Sequence, residues 1–297
     1  MGQDELIHQP VLLKTSVDLL GVKKGKWYLD ATIGAGGHGA EIVKRGGKLI
    51  GLDLDAQMLE FAKTHLTKVC PNGSWQLQEG NFAHLEIIVA KLGLGLLDGV
   101  LFDLGLSAYH YYQAKRGFSF NDQEKVDMRL GKKGMSANDL LRQVSKEQLT
   151  EILRFYAQEP LAEEIAQSII QERGKRGLTA TRLARLVEEI YFLKGKGKSK
   201  THPATRTFLA LRLWVNREPE NLRSGLAGAL QVLKSKGRLV VISFHSGEDR
   251  IVKNTFKGWE REGQGIVVTD KPVFPEPQEV QENPLSRSAV LRAFEKK

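Results

Sequence analysis

Cysteine is almost missing from this chain: Cys70 is the only one in 297 residues. That excludes intramolecular disulfides and cysteine-built zinc sites, and it suits a reducing compartment. Aromatic residues are sparse, at 7%. No apolar run approaches the roughly 18 residues of a membrane span. The first twenty residues carry Asp4 and Glu5 and lack a basic start followed by an apolar stretch, so no secretory signal is expected. The seven histidines show no paired metal spacing, so no metal centre is expected either. What remains is 41% hydrophobic and 27% charged residues. A soluble cytoplasmic protein is expected, with one large domain or one domain carrying an insertion.

The net charge of +9 is not spread evenly. Residues 171–217 hold twelve Lys or Arg against three Asp or Glu, a surplus of nine. The rest of the chain is therefore neutral. A localised basic surface suits a polyanionic partner, with RNA or DNA as the first candidates. A solvated helical face with a flexible basic loop is the plainer alternative. "KGKGKSK", with Lys194, Lys196, Lys198 and Lys200, is a Gly/Lys loop without core-forming residues.

Strand and helix patterns alternate through the first hundred residues. "KWYLDATIG", "KLIGLDLD", "SWQLQEGNF" and "DGVLFDLG" have strand character, and helical patterns separate them. This predicts an α/β fold with a parallel sheet covered on both faces. From about His110 to Leu213 only helical periods and turns follow, among them a capping box at Ser145 and Gln148. "NLRSGLAGALQVLKSKG" is expected to be helical. Strand character returns in "GRLVVISF", "QGIVVTDKPVF" and "SAVLRAFEK". The expected organisation is an α/β domain from residues 1–109 and 214–297, with an inserted helical domain at 110–213.

Gly34, Gly36 and Gly39 form a G-x-G-x-x-G run between the first strand and its helix. Such glycines let a ligand approach the backbone, and Asp53 stands at the usual distance for binding ribose hydroxyls. NAD and S-adenosylmethionine fit these features equally. Asp30, just before the glycines, separates them: its carboxylate repels a pyrophosphate and attracts an ammonium group. Asp103 closes the fourth strand and adds to the same field. A methyltransferase is favoured over a nicotinamide-dependent oxidoreductase, with Asp30 as a simple helix cap the bland alternative. Phe82 suits adenine stacking or a core position equally well. His38, inside the loop, is read as orienting the backbone or touching the cofactor.

Eight blocks in series carry a more specific signal. They are "HQPVLL" (8–13), "DATIGAGGHG" (30–39), "DGVLFDLGLS" (98–107), "RGFSF" (116–120), "VDMRL" (126–130), "HPATRTFLALRLWVN" (202–216), "VISFHSGEDRIVK" (241–253) and "NPLSRSAVLR" (283–292). Together they resemble the RsmH (MraW) family. The resemblance implies a class I (Rossmann-like) methyltransferase sheet with an inserted helical substrate-recognition domain. It also implies S-adenosylmethionine as cofactor and N(4)-methylation of one P-site cytidine in 16S rRNA of the small ribosomal subunit.

Carried over by motif, cofactor contacts fall on Gly36, Gly37, His38, Asp53, Phe82, Asp103 and His110. The family usually has glutamine at the last position. Further departures are Gly247 for leucine, Pro219 within a common Glu-Leu pair, and Leu285 for a basic residue. Asp103 is the leading catalytic candidate, holding the cofactor and orienting the amine. Ser107 and His245 are further candidates, with a turn hydroxyl as the alternative for Ser107. His245 and Asp249 are read as lining the cytosine pocket, with a structural ion pair of Asp249 and Arg250 in a turn as the alternative. RNA contacts are expected from Lys194, Lys196, Lys198, Lys200 and Arg206. A homodimer stays open, a membrane partner is not expected, and an RNA-binding module without methyl transfer is the competing reading.

Overall fold

The computed structural model describes residues 10–174, 178–196 and 201–297. The chain forms two compact units, one from Met1–Ser107 with Pro219–Lys297 and one from Ala108–Glu218.

The first segment runs α1 (Leu13–Leu20), β1 (Trp27–Asp30), α2 (Gly37–Lys44), β2 (Lys48–Asp53), α3 (Ala56–Val69), β3 (Trp75–Glu79), α4 (Leu85–Lys91) and β4 (Leu97–Asp103). The helical unit follows with α5 (Ala108–Tyr112), α6 (Ala137–Gln143), α7 (Lys146–Ala157), α8 (Ala162–Glu172), α9 (Ala180–Leu193) and α10 (Thr205–Asn216). The return consists of α11 (Glu218–Val232), β5 (Leu233–Ser243), α12 (Ser246–Arg261), β6 (Gly265–Val267), α13 (Pro277–Glu282) and β7 (Val290–Lys296).

The seven strands form one sheet in the order β3-β2-β1-β4-β5-β7-β6. β1 to β5 pair in parallel, and β7 runs antiparallel to both β5 and β6. Successive strand residues feed opposite cores, as the two-residue repeat of a strand requires. Leu29, Ile50, Val100, Phe102, Leu239 and Val241 pack with residues of α4, α11 and α12. Their neighbours Tyr28, Leu49, Leu101, Val240 and Ile242 pack with residues of α1, α2 and α3. Both sheet faces are thus covered, which is why these strands are almost continuously apolar.

One boundary differs from expectation. The helix expected to continue through "LKSKG" ends at Val232, and β5 begins at Leu233. Leu233 pairs with Leu97 of β4, and the register then shifts before Arg238 pairs with Gly99. Lys236, with φ of 63°, sits in that irregularity. Pairing with β4 overrides the helical propensity of the segment. Helix α1, of which only Leu13 falls in a sequence block, emerges here as part of the second core.

Within the helical unit, α7 begins with the full capping box: Gln148 N–H donates to Ser145 Oγ, and Ser145 N–H donates to Gln148 Oε1. The strand pairing found there among the described residues is one isolated bridge between Lys125 and Thr179. No helix of the described residues is long and apolar enough to cross a membrane.

Candidate active site

The strand order reverses between β1 and β4, because the chain winds outward through β2 and β3 before returning to β4 on the other side of β1. Loops leaving two such strands diverge and open a crevice at their carboxyl ends. Asp30 ends β1, Asp53 ends β2 and Asp103 ends β4. All three parallel strands therefore deliver a carboxylate to the same edge of the sheet.

The glycine run meets distinct needs at each position. Gly34 and Gly36 have φ of 50° and 88°, the left-handed region where a side chain is strained. A Cβ on Gly39 would lie 2.5 Å from Ile33 Cδ1 and 2.8 Å from Leu49 Cδ2, so its absence lets α2 lie close against the sheet. The loop is tied to β2 because Gly34 N–H donates to Asp53 Oδ2 at 3.0 Å. The other oxygen of Asp53 accepts Asp55 N–H at 2.9 Å.

Asp30 is 1% exposed. Its carboxylate accepts the N–H of Thr32 at 3.2 Å and that of Gly39 in the first turn of α2. It thus does part of the work of a helix cap, and it also carries charge into the crevice. Its pKa is pushed up to about 7, by burial first and also by the charge of Asp53, against the lowering effect of those two hydrogen bonds. Asp103 is pushed up to about 8, first by burial and then by the charges of Asp30 and Glu248. Its backbone N–H is held by Thr32 Oγ1 at 2.7 Å. Two buried acids that resist ionisation make a crevice suited to a cation, whose charge would relieve both.

His38 links this cluster to the first sequence block. Its Nε2 lies 3.0 Å from the carbonyl of Val11, so that nitrogen carries the proton and donates. Its Nδ1 then faces Asp103 Oδ2 at 3.5 Å. Pro10 of the same block lies where a Cβ on Gly37 would be, 2.9 Å from its Cγ. Pro10 and Val11 of that block are therefore packed on the glycine loop.

Phe82 lies in a short 3-10 turn after β3 and meets Phe102 edge to face at 5.4 Å. The space where Gly225 would have a Cβ is filled by its ring, at 2.7 Å. Ser107 is buried, with its hydroxyl 3.5 Å from Met58 Sδ. His245 is the N-cap of α12: its Nδ1 accepts Glu248 N–H at 3.4 Å, and its Nε2 lies 3.2 Å from Glu248 Oε1. Glu248 Oε2 in turn accepts Phe244 N–H at 2.8 Å. This is a reciprocal cap built on a histidine.

The ion pair of Asp249 with Arg250, the alternative reading of this turn, requires correction. Asp249 is held by Arg292, with Nε to Oδ1 at 2.6 Å and Nη2 to Oδ2 at 3.0 Å. The partner comes from β7 because the last two sequence blocks meet there. Glu248, Thr32 and the Val11 carbonyl escape the sequence reading. Only Glu248 has a legible signal, as the third residue after a helix cap.

The helical unit holds the remaining candidates. His110 is buried, its ring edge to face with Tyr109 and Phe118, both at 5.7 Å. Asn216 gathers the middle blocks by accepting Leu130 N–H at 2.9 Å and donating to the Met128 carbonyl at 2.7 Å. Phe120 stacks on His202 at 4.1 Å, joining "RGFSF" to "HPATRTF". Lys194 Nζ pairs with Glu164 at 2.7 Å, Lys196 is exposed, and Arg206 donates to the Gln158 carbonyl at 3.3 Å. Lys198 and Lys200 lie outside the described residues.

Comparison with known proteins gives this geometry a family. The Ribosomal RNA small subunit methyltransferase H of Coprothermobacter proteolyticus is 40% identical, covering 97% of this chain and 96% of its own. That of Symbiobacterium thermophilum is 39% identical over the same shares. A crystal structure of an rRNA methylase from Streptococcus thermophilus covers 97% of each chain at 11% identity, with a TM-score of 0.47. The model of the MraW methylase family matches residues 5–297. With its core motifs placed on the sheet edge and the glycine loop, this chain belongs to the MraW methylase family and is a methyltransferase.

Proposed function

We propose that this methyltransferase transfers a methyl group to the exocyclic N(4) of a single P-site cytidine in 16S rRNA of the small ribosomal subunit. S-adenosylmethionine is the methyl donor and supplies an electrophilic methyl carried on a sulfonium. The observation that carries the reading is the coupled pair of buried acids, Asp30 and Asp103, beside the glycine loop in a chain of this family.

In this reading Asp53 holds the ribose hydroxyls, and Gly36 and Gly37 offer bare backbone to the cofactor. Phe82 provides an apolar edge for the adenine. Asp30 contributes negative potential toward the amino-acid end. Asp103 has two tasks. A cation beside it draws its carboxyl back to the ionised form, and the carboxylate then accepts a hydrogen bond from the cytosine amine.

That amine is a poor nucleophile because its lone pair is delocalised into the ring. An acceptor for its protons favours a pyramidal nitrogen aligned with the methyl, so positioning supplies much of the rate. Loop carbonyls after β4 can share the task with Ser107. Cys70 is buried behind α2, its Sγ 3.7 Å from the Ala40 carbonyl, so no covalent cysteine intermediate is used. The basic helical unit, with Lys194, Lys196, Lys198, Lys200 and Arg206, takes the RNA.

The test is nucleotide mapping. Small-subunit RNA lacking the modification is incubated with enzyme and methyl donor, digested and sequenced by mass spectrometry. One N(4)-methylcytidine at the P site is expected. A methyl group on another base, or on no RNA, would overturn the proposal.

A further inference from the structure

A groove of about 560 Å³ runs along the helical unit between α7 and α10, lined by Glu151, Ile152, Arg154, Phe155, Tyr156 and Trp214. Three of the six are aromatic, in a chain with only 7% aromatic residues. Phe155 is 76% exposed, although α7 has a buried face of Leu149, Ile152 and Leu153 available for packing. Phe155 and Tyr156 meet edge to face at 5.1 Å, which holds the pair in place. Arg154 beside them is steered by Glu163 of α8, 3.7 Å away.

We infer that this groove is a stacking site for one unpaired base of an RNA substrate, distinct from the glycine-loop crevice. The inference rests on the RNA reading above and adds to it a site that, apart from Trp214, lies outside the family blocks. Aromatic faces bind bases because every base has a π-face, and a neighbouring guanidinium adds both stacking and phosphate attraction.

Charge supports this occupant. α10, which forms one wall, carries the exposed Arg206 and no acidic residue, its Arg212 being buried against Glu218. The whole basic surplus of the chain lies within residues 171–217 of the same unit. An apolar protein helix would gain nothing from that field, whereas a polyanion is drawn to it. Glu151 makes the site selective. A carboxylate on the groove wall accepts from the exocyclic amine of adenine, cytosine or guanine, whereas uracil offers it only the ring N3–H. The site therefore favours an amino-bearing base.

The experiment uses the full chain and two fluorescein-labelled single-stranded probes, oligoadenylate and oligouridylate. Phe155→Ala should weaken oligoadenylate binding about tenfold, within the range of one base stack removed. Phe155→Trp, which restores a larger ring at this exposed position, should bind at least as well as wild type. Glu151→Gln should narrow the preference for oligoadenylate over oligouridylate. Affinity for S-adenosylhomocysteine should not change in any variant.

Unchanged oligoadenylate affinity in Phe155→Ala overturns the inference. So does a loss that Phe155→Trp fails to restore. A variant that binds naked RNA normally but loses the assembled subunit would mean that the groove holds a ribosomal protein, which also overturns it. Failure of the underlying RNA reading has a different signature, because the wild-type enzyme would then methylate no small-subunit RNA.

Discussion

Asp103→Asn keeps the shape of the side chain and removes its ionisation, and the effect on folding can be worked out in advance. The carboxyl stands at about 8 in the native protein against 3.8 for an unperturbed group, with burial as the main cause. At about 1.4 kcal/mol for each tenfold change in an ionisation constant, ionising it in place costs the native state on the order of 5 kcal/mol. Between about pH 4 and pH 8 the native protein therefore holds a proton that the unfolded chain has released. Native stability from this group falls as pH rises through that window.

Asparagine has no proton to lose, so the variant escapes the decline. Near pH 4 the two proteins should have similar stability. Above about pH 8 the variant should be more stable by a few kcal/mol. Urea denaturation of both proteins at a series of pH values measures this gap. Methyl transfer should fall sharply in the same variant, because a neutral amide oxygen is a weaker acceptor for the amine than a carboxylate and carries no charge. A stability gap that stays constant with pH would refute the reasoning, since it would mean that Asp103 is not a buried acid held neutral by its surroundings.

Asp53→Ala should weaken S-adenosylhomocysteine binding by about 1.5–3 kcal/mol, the worth of a charge-assisted hydrogen bond, as read by calorimetry. Gly39→Ala should cost about 1–3 kcal/mol of stability, because its Cβ would overlap Ile33 and Leu49; a denaturation midpoint matching wild type would contradict the close helix–sheet approach. Replacing Lys194, Lys196, Lys198 and Lys200 by glutamine should lower the logarithmic salt dependence of RNA binding by about 0.7–0.9 for each phosphate that is no longer neutralised. Identical salt dependence would make that segment a bystander.

The sheet is legible because its strands are buried on both faces and read as apolar runs closed by aspartates and glycines. The glycine loop is legible too, since Gly36 is demanded by its left-handed backbone and Gly39 by the close packing of Ile33 and Leu49. The links between distant segments are not. Nothing in the sequence around Asp249 points to Arg292, and local spacing suggests Arg250 instead. The reach of His38 back to Val11 depends on where α1 packs, which only the tertiary core decides. The start of β5 is hidden because Leu233 to Gly237 has no strand signal of its own and takes its form from β4.

The placement of the helical unit between β4 and β5 has a consequence for how the molecule is made. On a ribosome, β1 to β4 emerge first, and β4 must wait for its second neighbour until all of residues 108–218 have been synthesised. During that wait the edge of β4, with Val100, Leu101 and Phe102, is unpaired and open to wrong partners. The helices of the insertion rest on interactions close in sequence and can form at once, whereas the sheet closes only on the arrival of β5 and β7. The helical unit should therefore gain protection from hydrogen exchange before the central strands do. The slow, aggregation-exposed stage of folding is the delay between one half of the sheet and the other.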